Sequence, residues 1–344
     1  MILIGSDSVL FTQHDSGGAD ILVVNPKEHR YEQMNPEDGS KRSAAPSVVF
    51  VVMAGGFSPP PVSVATGCVV LDLHLTQTET VLDRWLAAIS TLDCAGVAGE
   101  HLCLCGGSTM LPQNPPSTLR IVTDKSDYRG PAGALRDACE AFAPETTIIA
   151  VEAARCCCIN LGDVLAHHVR TKADVTVTRN PDKSPGGIYV LARRMLDAVP
   201  HAGFIDLKEQ WLAKLIEQDA RVMVCDIPAP GTMLLHTREA FLAAVRTCNG
   251  IKEAQGGVGL APRILHGTRH AASVICPDAR VEPDAVVVDA LVSPGAVIGA
   301  GALVARSIVG PGAIVAPGAQ VIDAVAGPTG IVQGHQIRRE GSLA

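Results

Sequence analysis

The chain has 344 residues and a net charge of −7, with 28 Lys and Arg against 35 Asp and Glu. That acidic balance excludes general binding to nucleic acid or to an anionic membrane surface. With 47% apolar and 18% charged residues, the composition excludes a chain disordered throughout and gives a prior of about two domains. Aromatic residues are only 3%, beside 33 Gly and 23 Pro, so the core is expected to be Val, Ile, Leu and Ala between many turns. No apolar run reaches the roughly 18–20 residues that span a bilayer. Met1 to Leu10 has no basic stretch and carries Asp7, which does not read as a signal peptide. A cytoplasmic protein with reduced thiols is expected. Eleven cysteines include the run Cys156-Cys157-Cys158 and the pair Cys103/Cys105. Zinc is disfavoured there, because no CxxC occurs and three adjacent cysteines in one strand point to alternating faces.

In chain order, an N-terminal β-hairpin precedes a polar stretch, 25–47, read as a loop or disordered insert. Val48 to Met53 reads as a buried strand running into Ala54-Gly55-Gly56. Val81 to Ile89 reads as a helix, Ile121 to Asp124 as a strand, and Ala132 to Phe142 as a helix entered through Arg129-Gly130-Pro131. Thr147 to Val151 is a strand. Asn160 to Val169 is a helix with Asn160 as N-cap and Asp163 in its first turn. Asp174 to Thr178 and Gly187 to Val190 are strands, and Arg193 to Val199 is helical. Leu207 to Gln218 and Arg238 to Arg246 are helices flanking the strand Arg221 to Ile227. Strands alternating with helices predict an α/β fold, a mostly parallel, doubly wound sheet covered on both faces. Trp85 and Trp211 are read as core residues. His167 and His168, about 100° apart on a helix, cannot share a metal.

The C-terminal part cuts into three segments of 17 residues, beginning at Ile275, Val292 and Val309. Aliphatic residues recur at Ile275, Val281, Val287; Val292, Ile298, Val304; and Val309, Val315, Val321. Pro-Gly, Pro-Asp and Ala-Gly pairs follow most of them, as turns between short strands. A strand and a tight turn, three times per coil, builds a triangular prism with the aliphatic position on its axis. This pattern resembles the hexapeptide-repeat left-handed β-helix. Such prisms need capped ends, and their flat faces are packing surfaces on which a homo-oligomer could form. The expected layout is an α/β domain over 1–246, a linker over 247–272, the prism over 273–326 and a tail over 327–344. The linker contains Gly256-Gly257-Val258-Gly259.

The order of motifs resembles that of the sugar-1-phosphate nucleotidyltransferases. Tyr128 to Leu135 (YRGPAGAL) is similar to that family's G-T-A-G-A-L segment. His167-His168 with Ala173 to Val177 resembles its H…ADVTV unit, Gly187 to Val190 its G-I-Y-V strand, and Glu239 to Ala244 the end of its G-T-P-x-x-Y-L-x-A element. The resemblance covers about residues 48–246 and the prism. It implies a Rossmann-like sheet and nucleotidyl transfer, in which a sugar 1-phosphate attacks the α-phosphorus of an NTP and pyrophosphate leaves. That chemistry depends on Mg²⁺ and cationic clamps.

Three elements that the family uses for this are altered. The first glycine loop runs Ala54-Gly55-Gly56-Phe57-Ser58-Pro59, without G-T-R, and no Lys or Arg lies between Val48 and Asp83. The G-D that holds Mg²⁺ falls on Ala153-Ala154, and the second Asp falls near Leu234. The sugar loop E-K-P is reduced to the stretch Asn180 to Gly186. The resemblance therefore implies a nucleotidyltransferase-like protein with impaired or lost catalysis. Glu152, two positions before the missing Asp and on the same face if the strand continues, is the one carboxylate placed to hold a metal. Arg129 and Arg136 are candidates to face a phosphate, or else structural. Gly55, Gly56, Gly130 and Gly133 are the candidate nucleotide-binding positions, where backbone can approach a ligand beside a helix start; helix packing explains them equally. Asp206, Lys208 and Glu209 read as the exposed start of a helix. The expected ligand is a nucleotide or sugar phosphate, with Mg²⁺ only if the enzyme turns over. Two alternatives stay open: a non-enzymatic sugar-nucleotide sensor or assembly subunit, and a hexapeptide acyltransferase. The latter needs a His base, and no His lies between Ala271 and Gly334; His266, His270 and His335 are the nearest.

Overall fold

The computed structural model describes residues 48–55, 60–94, 99–106, 111–124, 129–251 and 271–328, with the backbone of strands at 9–13, 19–23, 263–265, 268–270 and 337–338. Gly56 of the first glycine loop, Tyr128, the 25–47 insert, the glycine stretch at 256–259, His266 and His335 lie outside the described residues.

The strands β1 (Val9–Gln13) and β2 (Ala19–Val23) pair as an antiparallel hairpin. The main sheet uses β3 (Val48–Met53), β4 (Gly99–Cys105), β5 (Leu119–Thr123), β6 (Thr147–Glu152), β8 (Val175–Arg179), β9 (Pro185–Ala192) and β10 (Val222–Asp226). Its spatial order is β10-β8-β9-β6-β3-β4-β5. β3 lies parallel to both β4 and β6, and β8 is parallel to β10. β9 alone runs against its neighbours β6 and β8. The direction follows from the connection: β8 and β9 are separated only by the stretch Asn180 to Ser184, far too short for a parallel crossover. The expectation of a mostly parallel sheet holds, with one reversed strand inside it.

Period-two burial divides the sheet cleanly. Phe50, Val52, Cys103, Ile149, Val151, Ile188 and Val190 face one core, which also takes Trp85 of α2 (Val81–Cys94), Leu161 of α4 (Leu161–Thr171) and Phe241 of α6 (Arg238–Cys248). Val49, Val51, Leu102, Ile148, Ala150 and Tyr189 face the other, against Leu135 of α3 (Gly130–Ala138) and Trp211. A short α1 (Pro61–Thr66) follows the first strand. Asn160 does cap α4, accepting from the Gly162 N–H at 2.9 Å. The helix read over Leu207 to Gln218 opens as π-helix, Leu207–Leu212, and continues as α5, Ala213–Glu217. Arg193–Ala198 is a 3₁₀ segment. A second small pair, β7 (Arg155–Cys157) and β11 (Thr232–Leu234), runs antiparallel beside the sheet.

The C-terminal strands form three sheets of short, almost entirely parallel strands, compatible with a β-helix. Every parallel pairing in them joins residues 17 apart, as in Val281 with Ile298, Val292 with Val309 and Val304 with Val321. The same offset extends beyond 273–326, to Arg269 with Val286 and Gln320 with Ile337. Val287, Val292, Ile298, Val304, Val309, Val315 and Val321 are all fully buried in one cluster with eight buried alanines. The neighbouring residues Val274, Leu291 and Ile308 point the other way and join the core that contains Trp85 and Phe241. These C-terminal strands are thus bedded on the α1, α2 and α6 side. Arg246 pairs there with Asp289 at 2.7 Å, and Gln77 donates to the Ile275 carbonyl at 3.0 Å. No described helix is long and apolar enough to cross a membrane.

Candidate functional site

The carboxyl ends of β3 and β6, where open α/β sheets bind ligands, carry Met53 and Glu152 side by side. At β3, the N–H groups of Ala54 and Gly55 both donate to the Leu104 carbonyl, at 2.7 and 3.0 Å. A Cβ on Gly55 would come within 2.9 Å of the Gly106 nitrogen. Gly55 therefore serves a close approach of two strand ends.

The strand β6 stops at Glu152 and the chain bends at Ala153 and Ala154 before β7. The period-two argument linking Glu152 to the next position on the same face consequently fails: that position is no longer in the strand. Ala153 is held inward, its N–H donating to the Met53 carbonyl at 3.1 Å. Glu152 is also not a free ligand. Its Oε2 accepts from Arg155 Nε at 2.7 Å, its Oε1 pairs with Lys208 Nζ at 2.8 Å, and the Tyr189 hydroxyl donates to Oε1 at 3.3 Å. Burial pushes the Glu152 carboxyl up, but Arg155 and then Lys208 pull harder the other way and leave it below its ordinary value. The same buried setting beside Glu152 drives the Tyr189 phenol far up, so it stays protonated and donates.

Gly187, at φ +70°, makes room for this cluster, because a Cβ there would collide with Arg155. Only glycine accepts that backbone and that contact together. Asn180 fixes the loop before it. Its Nδ2 donates to the Thr232 carbonyl at 3.1 Å, and its Oδ1 accepts from the Thr232 N–H at 2.9 Å. The shortened loop is thereby tied to β11.

The segments on which the resemblance would place the two metal carboxylates, at Ala154 and near Leu234, lie side by side. The Leu235 N–H donates to the Ala154 carbonyl at 2.9 Å, and Leu234 is in register with Arg155. Their side chains offer no donor atom. With Glu152 already taken by two cations, these residues do not fit Mg²⁺, which needs carboxylate oxygens.

The remaining sequence candidates are placed differently. Arg129 is buried and spends its guanidinium inside the protein, on Asp137 at 2.9 Å and on the carbonyls of Pro200 and Gly203 at 2.9 and 3.3 Å. Arg136 pairs with Asp137 at 3.3 Å and bonds the His201 ring. The room left by Gly133 is filled by the Arg129 side chain, and that left by Gly130 by Ile205 and Phe204. Among these residues, the close approach is protein against protein. Asp206 caps its helix through the N–H groups of Lys208 and Glu209, both at 2.7 Å. Lys208 is more than a surface charge, since it reaches back to Glu152.

A cavity of about 230 Å³ opens beside this cluster, walled by Val177, Ile188 and Leu212 with Tyr189. Arg179, Lys183 and Lys208 line it as well. Arg179 is engaged by Asp226 at 2.6 Å and 2.8 Å. The cavity is not legible in the sequence, because its cations come from two separate stretches, 179–183 and Lys208, that meet only after β9 reverses.

No family model matches the chain, and no curated protein matches it.

Proposed function

We propose that the chain is a nucleotidyltransferase-like protein of the sugar-1-phosphate nucleotidyltransferase type, joined to a left-handed hexapeptide β-helix, that binds a sugar phosphate or nucleotide and has lost ordinary turnover. The observation that carries this reading is the contact between Ala154 and Leu235. Two sequence-distant segments, singled out as the family's metal-binding places, come together at the end of the central strand. This spatial neighbourhood supports the reading drawn from the motif order, and the residues there lack the carboxylates that the family's chemistry would need. The cavity between β8, β9 and Lys208 would be the ligand site. Its apolar wall suits a sugar ring or base, and Lys183 at its edge suits an anion.

Turnover fails on electrostatic grounds. Pyrophosphate departure needs cations already aimed at the developing charge. Mg²⁺ would supply them, but no side-chain oxygen at Ala154 or Leu234 can hold it. Losing one such preorganised contact costs about a hundred- to a thousand-fold in rate, and several lost together do not simply add.

The test is pyrophosphate release over a panel of NTPs and sugar 1-phosphates, beside a thermal-shift screen with the same compounds. The expected outcome is stabilisation by a sugar phosphate or nucleotide, its loss in Lys183→Glu, and no release above background. Robust turnover abolished by Glu152→Gln would overturn the lost-catalysis reading. No stabilisation by any of these ligands would count against the site.

A further inference from the structure

The run Cys156-Cys157-Cys158 is not used by the proposed ligand site, yet the fold treats two of its members alike. Cys158, one residue past β7, turns its sulfur back toward that of Cys156, and α6 brings Cys248 to meet them. The sulfurs of Cys156 and Cys158 stand 3.7 Å apart, and those of Cys156 and Cys248 stand 3.4 Å apart. All three lie within 4.8 Å of one another. From these distances we propose that Cys156, Cys158 and Cys248 form a binding site for one zinc ion, with a fourth position left to a water or another small ligand.

Two thiolates on a tetrahedral zinc at about 2.3 Å stand about 3.8 Å apart. The observed pairs need only small side-chain adjustments to reach that geometry. The frame is also fixed before the metal arrives. Cys156 is locked in the β7–β11 ladder opposite Met233, and Cys248 ends a helix whose Phe241 and Val245 are fully in the core. Three sulfurs cannot all be satisfied by one disulfide, whereas one metal takes all of them. Charge agrees as well. Three thiolates and Zn²⁺ leave a net charge of −1, and the Arg84 guanidinium lies close enough to act on all three sulfurs. Binding would release the thiol protons to solvent. The ion would pin the end of α6 to β7, next to the Ala154–Leu235 contact.

The experiment uses the full chain, stripped with a chelator and kept reduced without oxygen, then titrated with zinc chloride. Bound zinc would be counted by elemental analysis. A parallel titration with cobalt(II) reads thiolate-to-metal charge transfer and the ligand-field bands of tetrahedral coordination. One equivalent of zinc and a three-thiolate cobalt spectrum are expected. Cys248→Ser should lose stoichiometric binding, and Cys103→Ser, in the other close sulfur pair at 3.7 Å, should keep it. No stoichiometric zinc, or zinc kept by Cys248→Ser, would overturn the site. So would a disulfide between Cys156 and either partner in protein handled without oxidant. If Cys248→Ser does not fold, the cobalt spectrum of the parent decides alone, and fewer than three thiolates refute the assignment.

Discussion

Glu152 holds three partners with one carboxylate, and the partners differ in how far they depend on it. Arg155 has a side chain only 6% exposed, while that of Lys208 is 45% exposed. Removing the carboxylate strands a buried guanidinium, whereas removing Lys208 leaves an ion pair intact. Glu152→Gln should therefore destabilise the protein by about 2 kcal/mol, the loss of a charged hydrogen bond. Lys208→Met should cost less than about 1 kcal/mol, as for a solvent-screened pair. Urea unfolding of both variants checks the order. The sign with pH follows from the lowered carboxyl. Its contribution is present above the unfolded value of about 4.3 and is lost as pH falls through the lower folded value. The Gln variant should show a shallower acid limb. His168 obeys the same rule as a base rather than an acid. Burial, with its neighbour His167, outweighs Asp174 and lowers its affinity for a proton, and its Nδ1 lies 2.9 Å from Thr176 Oγ1. The unfolded chain protonates first, so stability should fall as pH drops below about 6.5 and stay level above it. Replacing His168 by Gln should flatten that slope in melting curves recorded across the range.

At the scale of elements, what could be read in advance was whatever depends on period and punctuation. The 17-residue spacing appears directly as the pairing offset, because each inward aliphatic must sit above the last. Ile298 is fully buried on that axis. Ile298→Asp should bury an unpaired charge and melt the prism at a cost of several kcal/mol, about the upper end for single substitutions. A lowered melting temperature in calorimetry is the readout, and parental melting would refute the inward position of Ile298. Direction is another matter. Period two says that Gly187 to Val190 is buried, not which way it runs, and only the shortness of the Asn180 to Ser184 connection carries that information. Glu152 shows a second limit. A same-face argument holds only while the strand lasts, and nothing apolar marks its end at residue 152. Lys208 and the Cys156–Cys248 approach were illegible for a simpler reason, since they join segments 56 and 92 positions apart.

For the whole molecule, the question is whether the prism is an appendage or part of one cooperative body. Its outward residues Leu291 and Ile308 have no exposed surface and share a core with Trp85 and Phe241. A Cβ on Gly327 would strike the Ala65 carbonyl of α1, so backbone meets backbone across this boundary. Arg238 adds hydrogen bonds to the Arg306 carbonyl and to Asp323. Shared apolar burial of this kind couples the stabilities of the two parts, because neither can unfold without exposing the other's surface. Ile308 lies next to Val309, which points to the prism axis, so the two positions separate coupling from coil integrity. Ile308→Ala should lower the single transition by the usual cost of about 2–5 kcal/mol for a truncated core residue. Ile308→Asp should go further and divide it, leaving the α/β part to melt first because its helices α2 and α6 lose their cover. Differential scanning calorimetry of both variants beside the parent distinguishes the cases. A single transition at the parental temperature in Ile308→Asp would mean that the two parts are stable independently. The prism would then contribute nothing to holding α6, and with it Cys248, against the end of the central sheet.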